Sequence, residues 1–156
     1  MSAVIGKPAP EFKLFNTEKK EIALSDYRGK NLVILFFPLA FTGTCTTELC
    51  NIRDNYNIYS ALNADVIGIS VDSLFTLDKF KKEQHYNFEL LSDFNKIASE
   101  AYDVLYETFA FGMKGVSKRS AFVVDKQGAI QYAEILEKVT DQPNYENIKS
   151  CLEKLN

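Results

Sequence analysis

Two short apolar runs, each followed by a polar segment with helical periodicity, most constrain how this chain can fold. The first run, residues 32–37, is Leu-Val-Ile-Leu-Phe-Phe, and the second, residues 65–71, is Asp-Val-Ile-Gly-Ile-Ser-Val. Short apolar runs bounded by turn signals are typical of strands that are buried on both faces. A helix between two such strands makes them parallel, because a parallel pair needs a long crossover connection. We therefore predict a buried sheet covered by helices.

The elements outside these runs alternate between strand and helix periodicity and end in a hairpin followed by a helix. This order indicates an α/β sandwich with a mixed central sheet, because crossover helices make parallel pairs and a hairpin makes an antiparallel pair. A chain of 156 residues suits one core, so we expect a single domain over residues 1–156. The predicted strands are 12–15, 21–24, 32–37, 65–71, 88–91, 121–124 and 130–135, and the predicted helices are 44–62, 73–86, 93–102 and 144–155.

Composition and charge argue against several classes of function. The net charge of −3 gives no electrostatic basis for binding nucleic acid. The longest apolar stretch, 32–41, is interrupted by Pro38 and is too short to cross a bilayer, and the N-terminus lacks the pattern of a signal peptide. We therefore expect a cytoplasmic protein with no nucleic-acid or membrane partner. One histidine and three cysteines without Cys-x-x-Cys spacing predict neither a metal site nor a cofactor.

Cys45 lies where the first buried strand gives way to the first long helix. The residues around it, Gly43, Thr44 and Thr46, are polar or helix-starting rather than members of an apolar stripe. In the first turn of a helix, unpaired N–H groups and the positive end of the helix dipole stabilise a thiolate, the reactive form of cysteine. We therefore predict that Cys45 is a nucleophile, although the default for a free cysteine is a small buried side chain.

The residues around Cys45 resemble the active-site motif of the peroxiredoxins. Pro38, Thr42 and Cys45 fit the family signature Pro-x-x-x-Thr-x-x-Cys. Glu48 stands where the family often has an acid. A match of so few residues would be weak evidence if it stood alone.

Two further segments resemble the same family and extend the match along almost the whole chain. Residues 6–12, Gly-Lys-Pro-Ala-Pro-Glu-Phe, resemble the family's opening, and Arg119 precedes a strand-like run as the family's active-site arginine does. The resemblance implies a thioredoxin-like fold and a thiol-dependent peroxidase that reduces hydrogen peroxide and small organic hydroperoxides. It also implies recycling by thioredoxin or a similar reductant, and it allows a homodimer.

The resemblance implies a role for each matched residue. Cys45 would attack a peroxide oxygen and become a sulfenic acid. Arg119, always charged and with several rigidly arranged donors, would hold the thiolate and the separating oxygens, while the Thr42 hydroxyl would both donate and accept. Pro38 would shield the sulfur from water. Glu48, one helical turn after Cys45, would orient Arg119; the simpler alternatives are a loop hydrogen bond for Thr42 and a surface ion pair for Arg119.

Cys50 bears on how the oxidised enzyme is recycled. Its spacing from Cys45 resembles the resolving cysteine of the peroxiredoxin Q (bacterioferritin-comigratory protein) subgroup, whereas residues 38–43 look more like the one-cysteine AhpE-like subgroup. Cα atoms five residues apart in a regular helix are about 8–9 Å apart, beyond the ~7 Å limit for a disulfide. A Cys45–Cys50 disulfide therefore requires the first turns of the helix to unwind. Cys151, on an apolar face of the terminal helix, is predicted to pack.

Three alternative functions stand beside the two-cysteine peroxidase. The first is a one-cysteine peroxiredoxin whose sulfenic acid is resolved by an external thiol. The second is a thiol–disulfide carrier on the same fold, which the missing Cys-x-x-Cys motif disfavours. The third is a non-enzymatic module such as a holdase chaperone, which the intact set of Pro38, Thr42, Cys45 and Arg119 disfavours. The fold alone does not decide among them.

Overall fold

A single mixed sheet organises residues 3–156, the part of the chain that the computed structural model describes. Within this range the sheet has seven strands in the order β2-β1-β5-β4-β3-β6-β7. The strands are β1 Lys13–Asn16, β2 Glu21–Ala23, β3 Asn31–Phe36, β4 Ala64–Ser70, β5 Glu89–Ser92, β6 Ser120–Val124 and β7 Ile130–Ile135. The helices are α1 Gly43–Asp54, α2 Tyr56–Ala61, α3 Leu74–Gln84, α4 Ile97–Ala101 and α5 Tyr145–Leu155, with short 3-10 turns at Leu24–Tyr27 and Ala110–Gly112.

Strand β3 lies inside the sheet and brings parallel and antiparallel pairing together. It pairs in parallel with β4 and antiparallel with β6, and every residue of β3 is buried. Strand β5 pairs in parallel with β4, and the hairpins β1–β2 and β6–β7 are antiparallel. The mixed sheet predicted from the order of elements is therefore confirmed, and the apolar run of β3 is explained by cover on both of its faces.

Each face of the sheet has its own core, because successive side chains of a strand point to opposite faces. One core, which includes Cys45, is built from β3, β4, β6 and the helices α1, α3 and α5. The other packs Phe36 against Tyr102 and Phe122, with ring centroids 5.3 and 6.0 Å from Phe36. Helix α1 therefore packs on one face of the sheet, with its N-terminus following the carboxyl end of β3.

The long helix predicted over residues 44–62 is wrong as a single element, since it is two helices that break at Asn55. The Asn55 backbone leaves the helical region at φ −117° and ψ 17°. Its side-chain Nδ2 donates to Asn51 O at 2.8 Å. A short amide side chain that bonds to a nearby carbonyl competes with the helical ladder, and this local competition ends α1.

The helix predicted from Asp93 also begins later, at Ile97. Asp93 nevertheless caps this helix with its side chain. The carboxylate accepts from the amides of Ala98 and Ser99 at 3.0 and 2.7 Å. The chain reaches the helix through a left-handed residue at Lys96, with φ 62°. Of the helices in residues 3–156, none is long and apolar enough to cross a membrane.

The close packing of β4 against β5 gives a test of the core. A Cβ added at Gly68 would lie 2.8 Å from Leu90 Cδ2 and 3.2 Å from Phe37 Cε1, both in side chains of the core. We expect Gly68→Ala to lower the free energy of unfolding by about 1–3 kcal/mol, the usual cost of overpacking. Urea denaturation measures it.

The matched control is Gly43→Ala, because a Cβ at Gly43 would meet no heavy atom within 4 Å. Gly43 begins α1, where alanine is a better helix former than glycine, so this control should not lose stability. Equal urea midpoints for Gly68→Ala and the wild type would contradict the packing described for β4.

Candidate active site

The loop between β3 and α1, residues 37–42, is held in place from the end of the neighbouring strand. Asp72 Oδ2 accepts from the backbone amide of Ala40 at 2.8 Å and from the hydroxyl of Ser70 at 2.7 Å. The next residue, Phe41, has a left-handed φ of 66°. A bulky residue is uncommon there, which indicates that the surrounding contacts fix the loop.

Cys45 is the third residue of α1 and is completely buried. The first turn of this helix has an unusual start. Thr42 is its N-cap residue, yet it makes no side-chain bond to the helix amides, and its hydroxyl instead donates to Leu39 O at 2.7 Å. The first turn of α1, which contains Cys45, therefore has no side-chain cap, and the positive end of the helix dipole is not offset there by a side-chain oxygen of Thr42.

Arg119 reaches the sulfur from the strand β6 side of the site. Its Nη1 donates to Cys45 Sγ at 3.3 Å and to Glu48 Oε1 at 2.7 Å. Its Nη2 donates to the carbonyl of Val139 at 2.8 Å. Burial acts to lower the pKa of Arg119, but Glu48 and Cys45 raise it overall, so the guanidinium stays charged.

The ion pair between Arg119 and Glu48 is fully buried, with no exposure of either side chain. Burial raises the pKa of Glu48 to about 7, although the positive charge of Arg119 opposes this shift. Within residues 3–156, Glu48 Oε2 and Arg119 Nε make no hydrogen bond. The pair thus keeps one unused acceptor and one unused donor beside the thiol.

The structure brings together three of the residues predicted for the site: Cys45, Glu48 and Arg119. Pro38 is buried at the start of the loop. Thr42 is exposed and makes the loop hydrogen bond that was the simpler alternative for it. Its direct role at the sulfur stays a prediction.

Cys50 lies on another side of α1, away from Arg119. Its thiol donates to Gln84 Oε1 at 3.7 Å and lies 3.8 Å from the hydroxyl of Tyr86. Cys45 and Cys50 both belong to the regular helix Gly43–Asp54, and all three cysteines of the chain are free thiols. The spacing argument from the sequence therefore applies to the folded chain.

Cys151 lies on α5 and is partly buried against the same core as Cys45. Its thiol contacts the carbonyl of Gln131 at 3.8 Å, and burial raises its pKa. His85 is exposed at the end of α3 in a left-handed conformation, as expected for a residue that only ends a helix. Within residues 3–156, no cluster of histidine, cysteine and acidic side chains could hold a metal ion.

Several contacts at the site involve residues that sequence reasoning missed. Val139 acts through its backbone carbonyl, which any residue type provides, so no sequence signal could have singled it out. Gln84 and Tyr86 reach Cys50 only through the tertiary fold. Asp72 follows a buried strand, and this position at the carboxyl end of β4 was an available signal for it.

Comparison with known proteins places this geometry in a family. The model of the AhpC/TSA family matches residues 5–133. The chain belongs to the AhpC/TSA family. Peroxiredoxin Bcp of Bacillus subtilis is 38% identical to it over 132 residues, which are 83% of each chain. Relatives of this similarity make the chain a peroxiredoxin, an enzyme that is a thiol-dependent peroxidase.

Solved structures agree with the fold. Peroxidoxin BcpB of Mycobacterium tuberculosis superposes with a TM-score of 0.87 at 24% identity, covering 99% of both chains. Peroxiredoxin Q of Xanthomonas campestris superposes with a TM-score of 0.84 at 27% identity, covering 99% of this chain and 98% of that one. The thioredoxin-like peroxiredoxin fold predicted from the sequence is therefore confirmed.

The buried carboxyl of Glu48 predicts a distinctive dependence of stability on pH. The folded state binds its proton more tightly than the unfolded chain does, because the pKa rises from 4.5 to about 7. Its contribution to stability is therefore full below pH 4.5 and lost as the pH rises through 7, a decline of up to about 3 kcal/mol. Glu48→Gln should remove this decline. The stability of the variant relative to the wild type should therefore increase between pH 4.5 and about 7.

Urea denaturation at a series of pH values measures the difference between the two proteins. Glu100→Gln is the matched control, because Glu100 is an exposed carboxyl on α4 and should leave the pH profile unaltered. A Glu48→Gln variant whose profile runs parallel to that of the wild type would show that folding does not raise the pKa of Glu48.

Proposed function

We propose that Cys45 is the peroxidatic cysteine of this peroxiredoxin and that Cys50 resolves its oxidised form as an intrachain disulfide. The observation that carries the first part is the contact between Arg119 Nη1 and Cys45 Sγ at 3.3 Å. A permanent positive charge lies against a buried sulfur at the amide end of a helix, and a thiolate is the form that this setting favours.

The first step is an attack of the Cys45 thiolate on one oxygen of a hydroperoxide. An S–O bond forms and the O–O bond breaks, so sulfur is oxidised to a sulfenic acid while the other oxygen leaves as water or an alcohol after taking up a proton. Negative charge moves from the sulfur to the leaving oxygen. Arg119 can follow that charge, because its fork of donors includes an Nε with no hydrogen-bond partner within residues 3–156.

Glu48 acts on Arg119 rather than on the peroxide. Its carboxylate shares the Nη1 atom of Arg119 with the sulfur, and the Val139 carbonyl holds Nη2. These two anchors fix the plane of the guanidinium before substrate arrives. Donors that are already oriented need no reorganisation during the reaction, which is the main source of electrostatic catalysis.

The second step is an attack of the Cys50 thiolate on the Cys45 sulfenic acid. An S–S bond forms, the S–O bond breaks, and the sulfenic oxygen leaves as water after taking up a proton. A thioredoxin-like dithiol then reduces the disulfide by thiol–disulfide exchange and is itself oxidised. Peroxiredoxins generally use peroxides and reductants of this kind. Support for the substrate class comes from a relative: the bacterioferritin comigratory protein of Xanthomonas campestris, 26% identical, has an alkyl peroxide reduction activity.

One observation keeps the one-cysteine enzyme as a second candidate. The Cys50 thiol is held by Gln84 and Tyr86, while Cys45 faces Arg119. Unless α1 unwinds, an external thiol would have to resolve Cys45. A thiol–disulfide carrier is less well supported, because a carrier needs an accessible thiol and Cys45 has no exposure in this conformation.

Replacing the cysteines one at a time tests the assignment. Cys45→Ser should abolish peroxide reduction, because it removes the nucleophile, whereas Cys151→Ser should keep most of it. Cys50→Ser should still consume one equivalent of peroxide but lose turnover with thioredoxin. Thioredoxin-coupled peroxide consumption and a peptide map of the oxidised protein are the measurements.

Each outcome of this series has a definite meaning. Substantial turnover by Cys45→Ser would overturn the mechanism as a whole. Turnover of Cys50→Ser at the wild-type rate would leave Cys45 in place and establish the one-cysteine enzyme. A Cys45–Cys151 linkage in the peptide map would transfer the resolving role to Cys151.

Arg119 gives a second test of the chemistry. Arg119→Ala should slow the reaction with peroxide by about 10²–10³-fold, by analogy with the loss of one donor from an oxyanion hole. Arg119→Lys should recover only part of the rate, because a point charge does not reproduce the fork of the guanidinium. Rapid-mixing measurement of sulfenic acid formation reports the rate directly.

Two controls separate chemistry from folding. The double variant Arg119→Ala with Glu48→Gln leaves no unpaired carboxylate in the core, so its rate is measured on a protein whose fold carries no uncompensated buried charge. Lys118→Ala removes the neighbouring cation, which pairs with the exposed Glu137, and should have little effect. If Arg119→Ala reacted at nearly the wild-type rate, Arg119 would be a structural residue only.

A further inference from the structure

Tyr86 touches both ends of the helical turn that separates the two cysteines. It is buried between α3 and β5, and its hydroxyl lies 3.8 Å from Cys50 Sγ. The same hydroxyl donates to the backbone carbonyl of Thr46 at 3.5 Å. In a regular α-helix this carbonyl is the acceptor for the amide of Cys50. One phenol therefore contacts a turn that must come apart before a Cys45–Cys50 disulfide can form.

Gln84 joins the same contact from the end of α3. Its side-chain oxygen accepts from the Cys50 thiol at 3.7 Å, and its backbone carbonyl accepts from the guanidinium of Arg53, near the end of α1. The chain then passes through His85, whose left-handed φ of 57° turns it toward Tyr86. The connection between α3 and β5 thus contacts α1 at Cys50 and at Arg53.

The ring of Tyr86 is held independently of its hydroxyl. It packs edge-on against Phe80, with centroids 5.1 Å apart, and against Phe88 at 5.5 Å. Phe80 also contacts Phe41 of the loop before Cys45, at 4.9 Å. Phenylalanine in place of Tyr86 would keep these ring contacts, so the hydroxyl can be removed without emptying the core.

We propose that Tyr86 is a positioning residue that sets how readily α1 unwinds to bring Cys50 to Cys45. The proposal rests on the resolving role of Cys50 proposed above. While Cys45 is reduced, the hydroxyl of Tyr86 holds the carbonyl of Thr46 and the thiol of Cys50 in the wound helix. Disulfide formation requires both contacts to break, so the hydroxyl slows resolution and favours the peroxide-reactive conformation.

The protonation state of the Tyr86 hydroxyl is consistent with its role as a hydrogen-bond donor to Thr46 O. Burial raises the pKa of Tyr86, and the neighbouring Cys50 raises it further. The hydroxyl therefore keeps its proton and remains a donor throughout the physiological range. The Gln84 side-chain oxygen makes a second, weak hydrogen bond with the Cys50 thiol.

The test is Tyr86→Phe, matched by Tyr102→Phe. Tyr102 is a buried tyrosine in the other core, and its hydroxyl also donates to a backbone carbonyl, that of Pro10, at 2.9 Å. Sulfenic acid formation is followed by peroxide consumption in a single turnover, and disulfide formation by rapid quenching, alkylation and mass spectrometry. The quantity compared is the ratio of the two rates.

Tyr86→Phe should raise the ratio of disulfide formation to sulfenic acid formation by about twofold to threefold, because the contact to Thr46 O is 3.5 Å long and contributes less than a hydrogen bond of ordinary length. Amide exchange over residues 44–54 of the reduced protein should become faster, and less sulfinic acid should accumulate in excess peroxide. Tyr102→Phe should change none of these. Gln84→Met, which removes the other acceptor for the Cys50 thiol, should shift the ratio in the same direction by less.

The outcomes distinguish failure of this proposal from failure of the proposed function. If the wild type forms the Cys45–Cys50 disulfide and Tyr86→Phe leaves the ratio unchanged, only the role of Tyr86 is overturned. An equal rise in Tyr102→Phe overturns it too, because general loss of stability would then explain the effect. If the wild type forms no Cys45–Cys50 disulfide, the resolving role of Cys50 and the role of Tyr86 are both overturned.

Discussion

The rest of the site depends on one buried contact, the sharing of Arg119 Nη1 between Cys45 Sγ and Glu48 Oε1. A charged group without exposure needs partners of opposite charge or it destabilises the fold. Cys45 and Glu48 are three residues apart on one face of α1, so a single guanidinium reaches both. Arg119 can meet them only because β6 pairs with β3, whose carboxyl end leads into α1. The antiparallel pairing inside the sheet is thus what places a cation beside the Cys45 sulfur.

How far the sequence predicts this structure differs between local and tertiary features. The apolar run of β3, the helix start at Cys45 and the spacing of Glu48 are local patterns, and they predict the strand, the start of the helix and the helix face correctly. The position of Arg119 followed only from its resemblance to a family motif. The break at Asn55 was missed because it depends on one side chain that competes with the helix backbone, which periodicity does not register.

Tertiary contacts account for the rest of what the sequence did not reveal. The Val139 carbonyl that anchors Arg119 comes from the segment after β7. Every residue has a backbone carbonyl, so the sequence gives no signal for this contact. Tyr86 and Gln84 are distant in sequence from Cys50 and lie at a helix end, where a polar side chain is normally solvated. Pairwise contacts of this kind leave no periodicity. They are also the contacts that, in the proposal above, hold the turn between Thr46 and Cys50 in the wound helix.

Opposite demands meet in the first two turns of α1. The proposed reaction of Cys45 with peroxide needs them wound, because the wound helix places the sulfur at its amide end and against Arg119, whereas the proposed disulfide needs them unwound. Helices α3 and α5 begin with side-chain caps, but α1 does not, so the tertiary contacts of Cys45, Glu48 and Cys50 supply much of its stability. In the proposed cycle, oxidation of Cys45 to a neutral sulfenic acid removes the thiolate charge that Arg119 holds. The chemical step itself therefore loosens one of the contacts that keep the turn wound, and unwinding follows oxidation rather than preceding it.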